Sequence, residues 1–206
     1  MMRKLIILSI LLISCINLHK IPNISLTNKY VTYNKVKIKI ESKSFDNITL
    51  RGFINIIQDS LICFGFWGPL GYKVLSGDYG ERFGLKDYHN NRNNSDVLTE
   101  IYNKSGIYFN RVCIENLLLA RVDSLIQSLN VLNKGVIKLE KHLNKKCQLL
   151  TIMKGDRKSC YKLEFFYSNA IPRIIKISYN DLQDQWVAQI EIISISNEKK
   201  ACDLKI

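Results

Sequence analysis

Residues 60–77 read Ser60-Leu61-Ile62-Cys63-Phe64-Gly65-Phe66-Trp67-Gly68-Pro69-Leu70-Gly71-Tyr72-Lys73-Val74-Leu75-Ser76-Gly77. This stretch begins as an apolar, aromatic run that favours a β-strand, breaks at Gly68-Pro69, and continues from Tyr72 as a second extended run. The pattern predicts a hairpin with Leu70 near its tip. Because the tips of turns normally face water and are polar, a leucine there indicates contact with a membrane or with a hydrophobic partner.

Further strands are predicted on both sides of this hairpin. Apolar and polar residues alternate in Val36–Glu41 and again in Ile48–Ile56, as in strands with one wet face. Gln58-Asp59 predicts a tight turn into the hairpin. After the hairpin, Gly77-Asp78-Tyr79-Gly80 predicts another turn, and the alternating residues 81–86 predict a strand.

The middle of the chain changes to helical periodicity. A short helix is predicted to begin at a cap, Asn94 or Ser95, and to end near Lys104, and a second helical region runs from about Arg111 to Asn133. Apolar residues recur in the second region at spacings of three and four: Leu118, Val122, Leu125, Leu129 and Leu132. Such a stripe is explained either by an ordinary core or by a lid that covers a cavity.

The rest of the chain returns to strands, predicted at Leu149–Met153, Tyr161–Tyr167, Arg173–Tyr179 and Trp186–Ile195. Strands, a helical insertion and more strands predict an α+β fold. We expect one curved antiparallel sheet, an incomplete β-barrel, with helices capping its concave face. A sheet of this shape, open on one side and plugged by helices, can hold an acyl chain.

The N-terminus predicts export. A basic segment, Met1–Lys4, precedes the apolar run Leu5–Ile13, which covers only about half of a ~30 Å bilayer core and therefore reads as a signal rather than a spanning helix. The order Leu12-Ile13-Ser14-Cys15 resembles the lipobox of bacterial lipoproteins, with an ordinary secretory signal as the alternative. We therefore predict a signal peptide at 1–14, a lipidated Cys15 with a polar tether at 15–34, and one folded domain at 35–206.

The charge of the chain narrows its partners only together with export. Lys+Arg 30 against Asp+Glu 18 gives +12, which suits nucleic acid, anionic lipid headgroups or an acidic protein. Export excludes nucleic acid. Two groups of lysines face either headgroups and an acidic carrier or simply solvent: Lys35, Lys37 and Lys39, and Lys138, Lys141, Lys145 and Lys146.

The sequence carries little that indicates catalysis or metal binding. His19, His89 and His142 lie in polar segments without a Ser-Asp or Cys partner at a recognisable spacing. The cysteines besides Cys15 form no Cys-x-x-Cys motif: Cys63, Cys113, Cys147, Cys160 and Cys202. Cys147 and Cys160 either pair across a hairpin or pack as buried thiols. We predict no enzymatic activity, no metal and no cofactor.

The first hairpin carries a family resemblance. Gly68-Pro69-Leu70-Gly71, followed by a strand, a Gly-Asp turn and Arg82-Phe83-Gly84-Leu85-Lys86-Asp87, resembles the LolB branch of the LolA/LolB-like lipoprotein-localisation family. In related lipoproteins of Bacteroidetes a Lys/Gln-Asp-Ser turn precedes Pro-Leu-Gly, as Gln58-Asp59-Ser60 does here. The resemblance covers about residues 35–195 but is specific only in the hairpin, and Leu117–Arg121 follow the family's leucine-rich helix loosely.

The resemblance implies a half-barrel around a hydrophobic cavity that holds the acyl chains of lipoproteins. In the anchored branch a leucine on a protruding loop enters the membrane, and the matching position is Leu70. The membrane-insertion loop then comprises Trp67, Gly68, Pro69, Leu70 and Gly71. The residues expected to line the cavity are Ile54, Ile56, Ile62, Phe64, Phe66, Leu118, Val122 and Leu125.

The function implied by the resemblance is that of a monomeric, lipid-anchored outer-membrane protein. It would receive acylated lipoproteins from a soluble periplasmic LolA-like carrier and insert them into the outer membrane. Residues 16–20 lack the acidic run associated with surface export, which favours the periplasmic face. The alternative is an envelope assembly or interaction lipoprotein that uses the same half-barrel as a binding module without transferring lipid.

Overall fold

The computed structural model describes residues 29–43, 47–89, 92–94, 97–144, 147–154, 160–168, 171–180 and 185–198. The strands in these ranges are β1 (Tyr30–Ser42), β2 (Ile48–Ile57), β3 (Leu61–Trp67), β4 (Lys73–Tyr79), β5 (Phe83–Asp87), β6 (Arg92–Asn94), β7 (Ile137–Asn144), β8 (Cys147–Lys154), β9 (Cys160–Ser168), β10 (Ile171–Asn180) and β11 (Gln185–Ser196). The helices are α1 (Val97–Ser105), α2 (Arg111–Leu118) and α3 (Val122–Leu132), inserted between β6 and β7.

All of these strands form one antiparallel sheet that does not close. Its order is β6-β5-β4-β3-β2-β1-β11-β10-β9-β8-β7, so that β6 and β7 form its two edges within the described residues. In a flat sheet β5 and β9 would lie about 34 Å apart, yet Phe83 of β5 and Tyr161 of β9 line the same cavity. The sheet is therefore strongly curved, and the predicted incomplete barrel with helices on its concave face is confirmed.

Alternation along the strands separates the two faces of the sheet. On β1, Ile38 and Ile40 are buried, whereas Lys37 and Lys39 between them are only half-buried. Ile38 lies opposite Leu50 of β2 and Ile190 of β11, and both of these are buried as well. Since cross-strand neighbours share a face, this register builds a continuous apolar concave surface against which the helices pack.

The helical insertion is broken at Ala120, so the single helical region predicted for residues 111–133 is in fact two helices. The side chain of Asn110 caps α2 by accepting the backbone N–H of Cys113 at 2.9 Å. Ala120 has a left-handed φ of 51° and ends this helical path before α3 begins. Its φ redirects the chain by a route that apolar periodicity alone does not reveal.

The structure moves three boundaries that were predicted from the sequence. β1 begins at Tyr30, so residues 30–34 of the predicted tether belong to the sheet, because Val31 and Tyr33 pair with Ile56 and Ile54. The turn predicted at residues 77–80 lies at 80–82, since residues 77–79 continue the ladder of β4. The charged residues 137–144, not predicted as a strand, form the edge strand β7.

The signal peptide and Cys15 lie outside the described residues. No helix within the described ranges is both long and apolar enough to cross a bilayer.

Candidate functional site

A hydrophobic cavity lies between the concave face of the sheet and the helices. Its volume is about 50 Å³. The strands contribute Ile62, Phe64, Tyr79, Phe83, Tyr161, Leu163 and Ile177, and the helical insertion contributes Leu98, Ile101, Phe109, Ile114, Leu117 and Leu118. Apart from the phenols of the two tyrosines, this lining offers only hydrocarbon to an occupant, so the chemistry of the cavity favours apolar ligands.

The structure brings three of the eight residues expected in the cavity to its wall. Ile62, Phe64 and Leu118 line it. The remaining five are Ile54, Ile56, Phe66, Val122 and Leu125, which are buried in the surrounding core without lining this space. Sheet curvature explains the difference, because an inward-facing side chain reaches a cavity only where the helices leave a gap above it.

Most of the wall was not foreseen from the sequence. Tyr161, Leu163 and Ile177 lie on predicted strands, but their distance from the first hairpin in sequence conceals that they face Phe64 across the curved sheet. In α1, the apolar residues Leu98 and Ile101 have the spacing of one helix face. That spacing was the available signal for a contribution of α1 to the cavity.

Two buried tyrosines attach the junction between α2 and α3 to the sheet. The hydroxyl of Tyr33 on β1 donates to the carbonyl of Leu118 at 2.8 Å, and that of Tyr167 on β9 donates to the carbonyl of Ala120 at 3.1 Å. Burial raises the pKa of both phenols far above their ordinary value, so both remain protonated donors. The carbonyls freed where α2 ends are thereby satisfied by the sheet.

A polar network attaches the same junction to the turn between β2 and β3. The carboxylate of Glu115 accepts the backbone N–H of Asp59 at 3.0 Å and an N–H of Arg111 at 3.1 Å. The guanidinium of Arg121 donates to the side chain of Gln58 at 2.7 Å. Burial raises the pKa of Glu115, while its hydrogen bond from Asp59 and the nearby arginines act in the opposite direction. This corner of the helical cap is therefore held by polar contacts as well as by packing.

The other end of β3 carries the Leu70 turn, which we define as residues Gly68–Gly71. The N–H of Gly71 donates to the carbonyl of Gly68 at 3.0 Å, and the N–H of Gly68 donates to the carbonyl of Tyr72 at 3.0 Å. Gly71 adopts a φ of 79°, which glycine takes without strain. These bonds hold a tight turn whose third residue, Leu70, is 89% exposed.

Tyr72 and Trp67 form the base of the Leu70 turn. The ring of Tyr72, which is 54% exposed, lies against Gly68, where a Cβ atom would come within 2.7 Å of it. Trp67 is half-buried and contacts Phe53 of β2, with ring centroids 5.9 Å apart. The turn is thus supported by aromatic contacts, while Leu70 itself projects into solvent.

The cavity and the Leu70 turn lie at different heights along the same strand. Phe64, which lines the cavity, is separated from Trp67 at the base of the turn by about 10 Å of strand. Phe66 and its cross-strand neighbour Leu75 fill that interval and are fully buried. In this conformation, therefore, the cavity does not open beside the turn.

Several lysines singled out from the sequence are paired with carboxylates. Lys37 lies 3.3 Å from Glu191, and Lys138 lies 2.7 Å from Glu140. Lys141 pairs with Asp123. Lys145 and Lys146 lie outside the described residues. Local ion pairs therefore offset part of the basic charge in both predicted groups.

The cysteines and histidines are scattered over the fold. Cys63 is disulfide-bonded, whereas Cys113, Cys147 and Cys160 are free thiols, so Cys147 and Cys160 do not pair with each other. His89 and His142 are exposed, and His19 lies outside the described ranges. Within the described ranges, no three or more His, Cys, Asp or Glu residues group in a way that suits a metal ion.

Two solved structures share the general architecture at low sequence identity. One is a LolA superfamily protein from Nitrosomonas europaea, with a TM-score of 0.40 and 9% identity over 86% of this chain and 89% of that chain. The other is described as an outer-membrane lipoprotein-sorting protein domain from Vibrio parahaemolyticus, with a TM-score of 0.39 and 7% identity over 84% and 86% of the two chains. No protein-family model matches the chain, and no curated protein matches its sequence.

Proposed function

We propose that this protein is a lipid-anchored, LolB-like lipoprotein of the outer membrane that receives acylated lipoproteins in its hydrophobic cavity and inserts them into that membrane. The proposal is one of binding and transfer rather than of catalysis. Cys15 would carry the anchor, and a soluble LolA-like carrier would supply the cargo on the periplasmic face. A disulfide at Cys63 is consistent with an oxidising compartment outside the cytoplasm.

The exposure of Leu70 is the observation that carries this proposal. A leucine that is 89% exposed on a turn held by two backbone hydrogen bonds is poorly suited to water but well placed to enter a bilayer. Burying one leucine contributes ~1.5–3 kcal/mol, which biases docking without fixing the domain permanently in the membrane. The anchor keeps the domain nearby and raises the effective concentration of the turn at the surface.

Cargo entry requires the helices to separate from the sheet. The cavity of about 50 Å³ is far below the ~300–1,000 Å³ typical of ligand pockets, so an acyl chain fits only after it expands. The junction of α2 and α3 is held by Tyr33, Tyr167 and Glu115. The contribution of α1 is apolar, through Leu98 and Ile101. We therefore expect α1 to move first while the α2–α3 junction stays attached.

Leu70→Glu tests the insertion step. The variant should fold, bind acylated cargo and remain anchored, but its delivery of cargo into vesicles should fall at least about tenfold, because a carboxylate replaces the apolar tip. Leu143→Glu is the matched control, since Leu143 is also an exposed leucine, at 69%, but lies on β7 away from the turn. Unchanged delivery by Leu70→Glu, or an equal loss in both variants, would contradict the proposal.

The small cavity favours one alternative function. If the space of about 50 Å³ never expands, the half-barrel serves as an interaction module of an envelope complex and carries no acyl chain. Native mass spectrometry of the anchored protein, extracted gently from cells, separates the two functions. A transfer protein should yield a species with bound acylated cargo, whereas an interaction module should yield only partner proteins held by surface contacts.

A further inference from the structure

Two lysines converge on one tyrosine beside the Leu70 turn. The Nζ atoms of Lys73 and Lys86 lie 5.0 and 5.3 Å from the centroid of the Tyr88 ring. Lys73 is the first residue of β4 after the turn, and the backbone N–H of Tyr88 donates to the carbonyl of Val74 at 3.0 Å. The three side chains, which we call the Tyr88 cluster, therefore lie at the same end of the sheet as Leu70.

The Tyr88 cluster carries positive charge that no nearby carboxylate neutralises. Within the described residues, neither Lys73 nor Lys86 belongs to an ion pair, in contrast to Lys37 and its partner Glu191. Asp87 neighbours Lys86 in sequence but faces the concave side, opposite Leu75. Two ammonium groups held near one ring repel each other, so an anion placed between them would be stabilised.

The hydroxyl of Tyr88 adds a polar group to the cluster. Ser76 donates a hydrogen bond of 3.2 Å to this hydroxyl. The bond from Ser76, together with Lys73 and Lys86, lowers the pKa of Tyr88 below its ordinary value. A negative charge is therefore favoured at this position, in agreement with the geometry of the two lysines.

We infer that the Tyr88 cluster binds the phosphate of an anionic phospholipid while Leu70 is inserted in the membrane, an inference that rests on the proposed function. The headgroup layer is about 5–8 Å deep on each side of the bilayer. Lys73 follows Leu70 by three residues, which span at most about 10 Å, and its flexible stem lets the ammonium group settle within that layer. Tyr72 and Tyr88 are both exposed, and tyrosine is enriched at membrane interfaces.

The test compares binding to vesicles of phosphatidylcholine with binding to vesicles that contain about one third phosphatidylglycerol. The full chain is prepared without acylation in every arm, so that the N-terminal residues contribute equally. At low salt, Lys73→Gln/Lys86→Gln should lose about 20-fold in affinity for the anionic vesicles and keep its affinity for the neutral ones. The control, Lys134→Gln/Lys138→Gln, removes the same charge from exposed positions around the turn before β7 and should retain the anionic preference.

Each result decides between the cluster and simpler explanations. Equal losses in the two double variants would show a general effect of net charge and overturn the inference, as would an unchanged anionic preference in Lys73→Gln/Lys86→Gln. Loss of binding to an acidic protein but not to anionic vesicles would also overturn it. The Lys73→Gln/Lys86→Gln variant should still carry acylated cargo in native mass spectrometry, so absence of cargo from the unmodified protein counts against the proposed function and not against the cluster.

Discussion

The two turns that flank β3 differ in almost every contact. The turn before the strand, Gln58–Ser60, lies against the helical cap, where Asp59 donates its backbone N–H to Glu115 and Gln58 accepts from Arg121. The turn after the strand is closed by its own backbone and leaves Leu70 89% exposed. One strand therefore connects a turn that is part of the folded interior with a turn that presents an apolar residue outward.

This difference separates stability from function along a single strand. The Gln58–Ser60 turn helps to position the helices over the cavity, so changes there should alter the folded state. The Leu70 turn contributes little to packing beyond its aromatic base, so changes at Leu70 should alter function at nearly constant stability. A protein that must touch a membrane briefly without unfolding benefits from this arrangement, since the contacting residue is independent of the core.

Glu115→Ala should have the largest effect on this comparison. It leaves the N–H of Asp59 and the guanidinium of Arg111 without their acceptor beside a buried position, which should lower the free energy of unfolding by about 2–3 kcal/mol. Leu70→Ala, at the opposite turn, should change it by less than about 0.5 kcal/mol. Urea denaturation of both variants measures the difference, and similar losses would show that the two turns are equally integrated in the fold.

Gly71→Ala should have an intermediate effect that is confined to backbone conformation. Gly71 has a φ of 79°, and no atom lies within 4 Å of the position that a Cβ would take, so the expected loss of about 1 kcal/mol is not steric crowding. Asp59, with a φ of 60°, provides the counterpart. Asp59→Gly should shift the midpoint of urea unfolding much less, because relief of the left-handed strain is offset by the greater freedom of glycine in the unfolded chain.

The sequence predicted the strands better than the helical cap. Alternation in segments such as Val36–Glu41 and Tyr161–Tyr167 is a local property, and both segments lie in strands of the sheet. The break at Ala120 was missed because it depends on distant groups, Tyr33 and Tyr167, that accept no description from local periodicity. The strand β7 was missed because its lysines and glutamate read as a solvated segment.

The candidate site divides in the same way. A leucine between Pro69 and Gly71 is a local signal, and the structure places it on an exposed turn. The wall of the cavity depends on which inward-facing residues meet across the curved sheet, such as Phe83 and Tyr161, and that depends on global curvature. The Tyr88 cluster likewise forms only because β4 and β5 pair in a register that brings Lys73 and Lys86 to one ring.

The smallest effect that we expect concerns pH at the Gln58–Ser60 turn. Burial raises the pKa of Glu115 above its ordinary 4.5, so the folded protein binds this proton more tightly than the unfolded chain does. The stabilisation from this group is therefore complete below its unfolded pKa and decreases as pH rises through the folded value. The free energy of unfolding of the unmodified protein, relative to Glu115→Gln, should fall between about pH 4 and pH 7, and urea titrations at both ends measure it. A relative increase over that range would mean that Arg111 stabilises the ionised carboxylate more than burial penalises it.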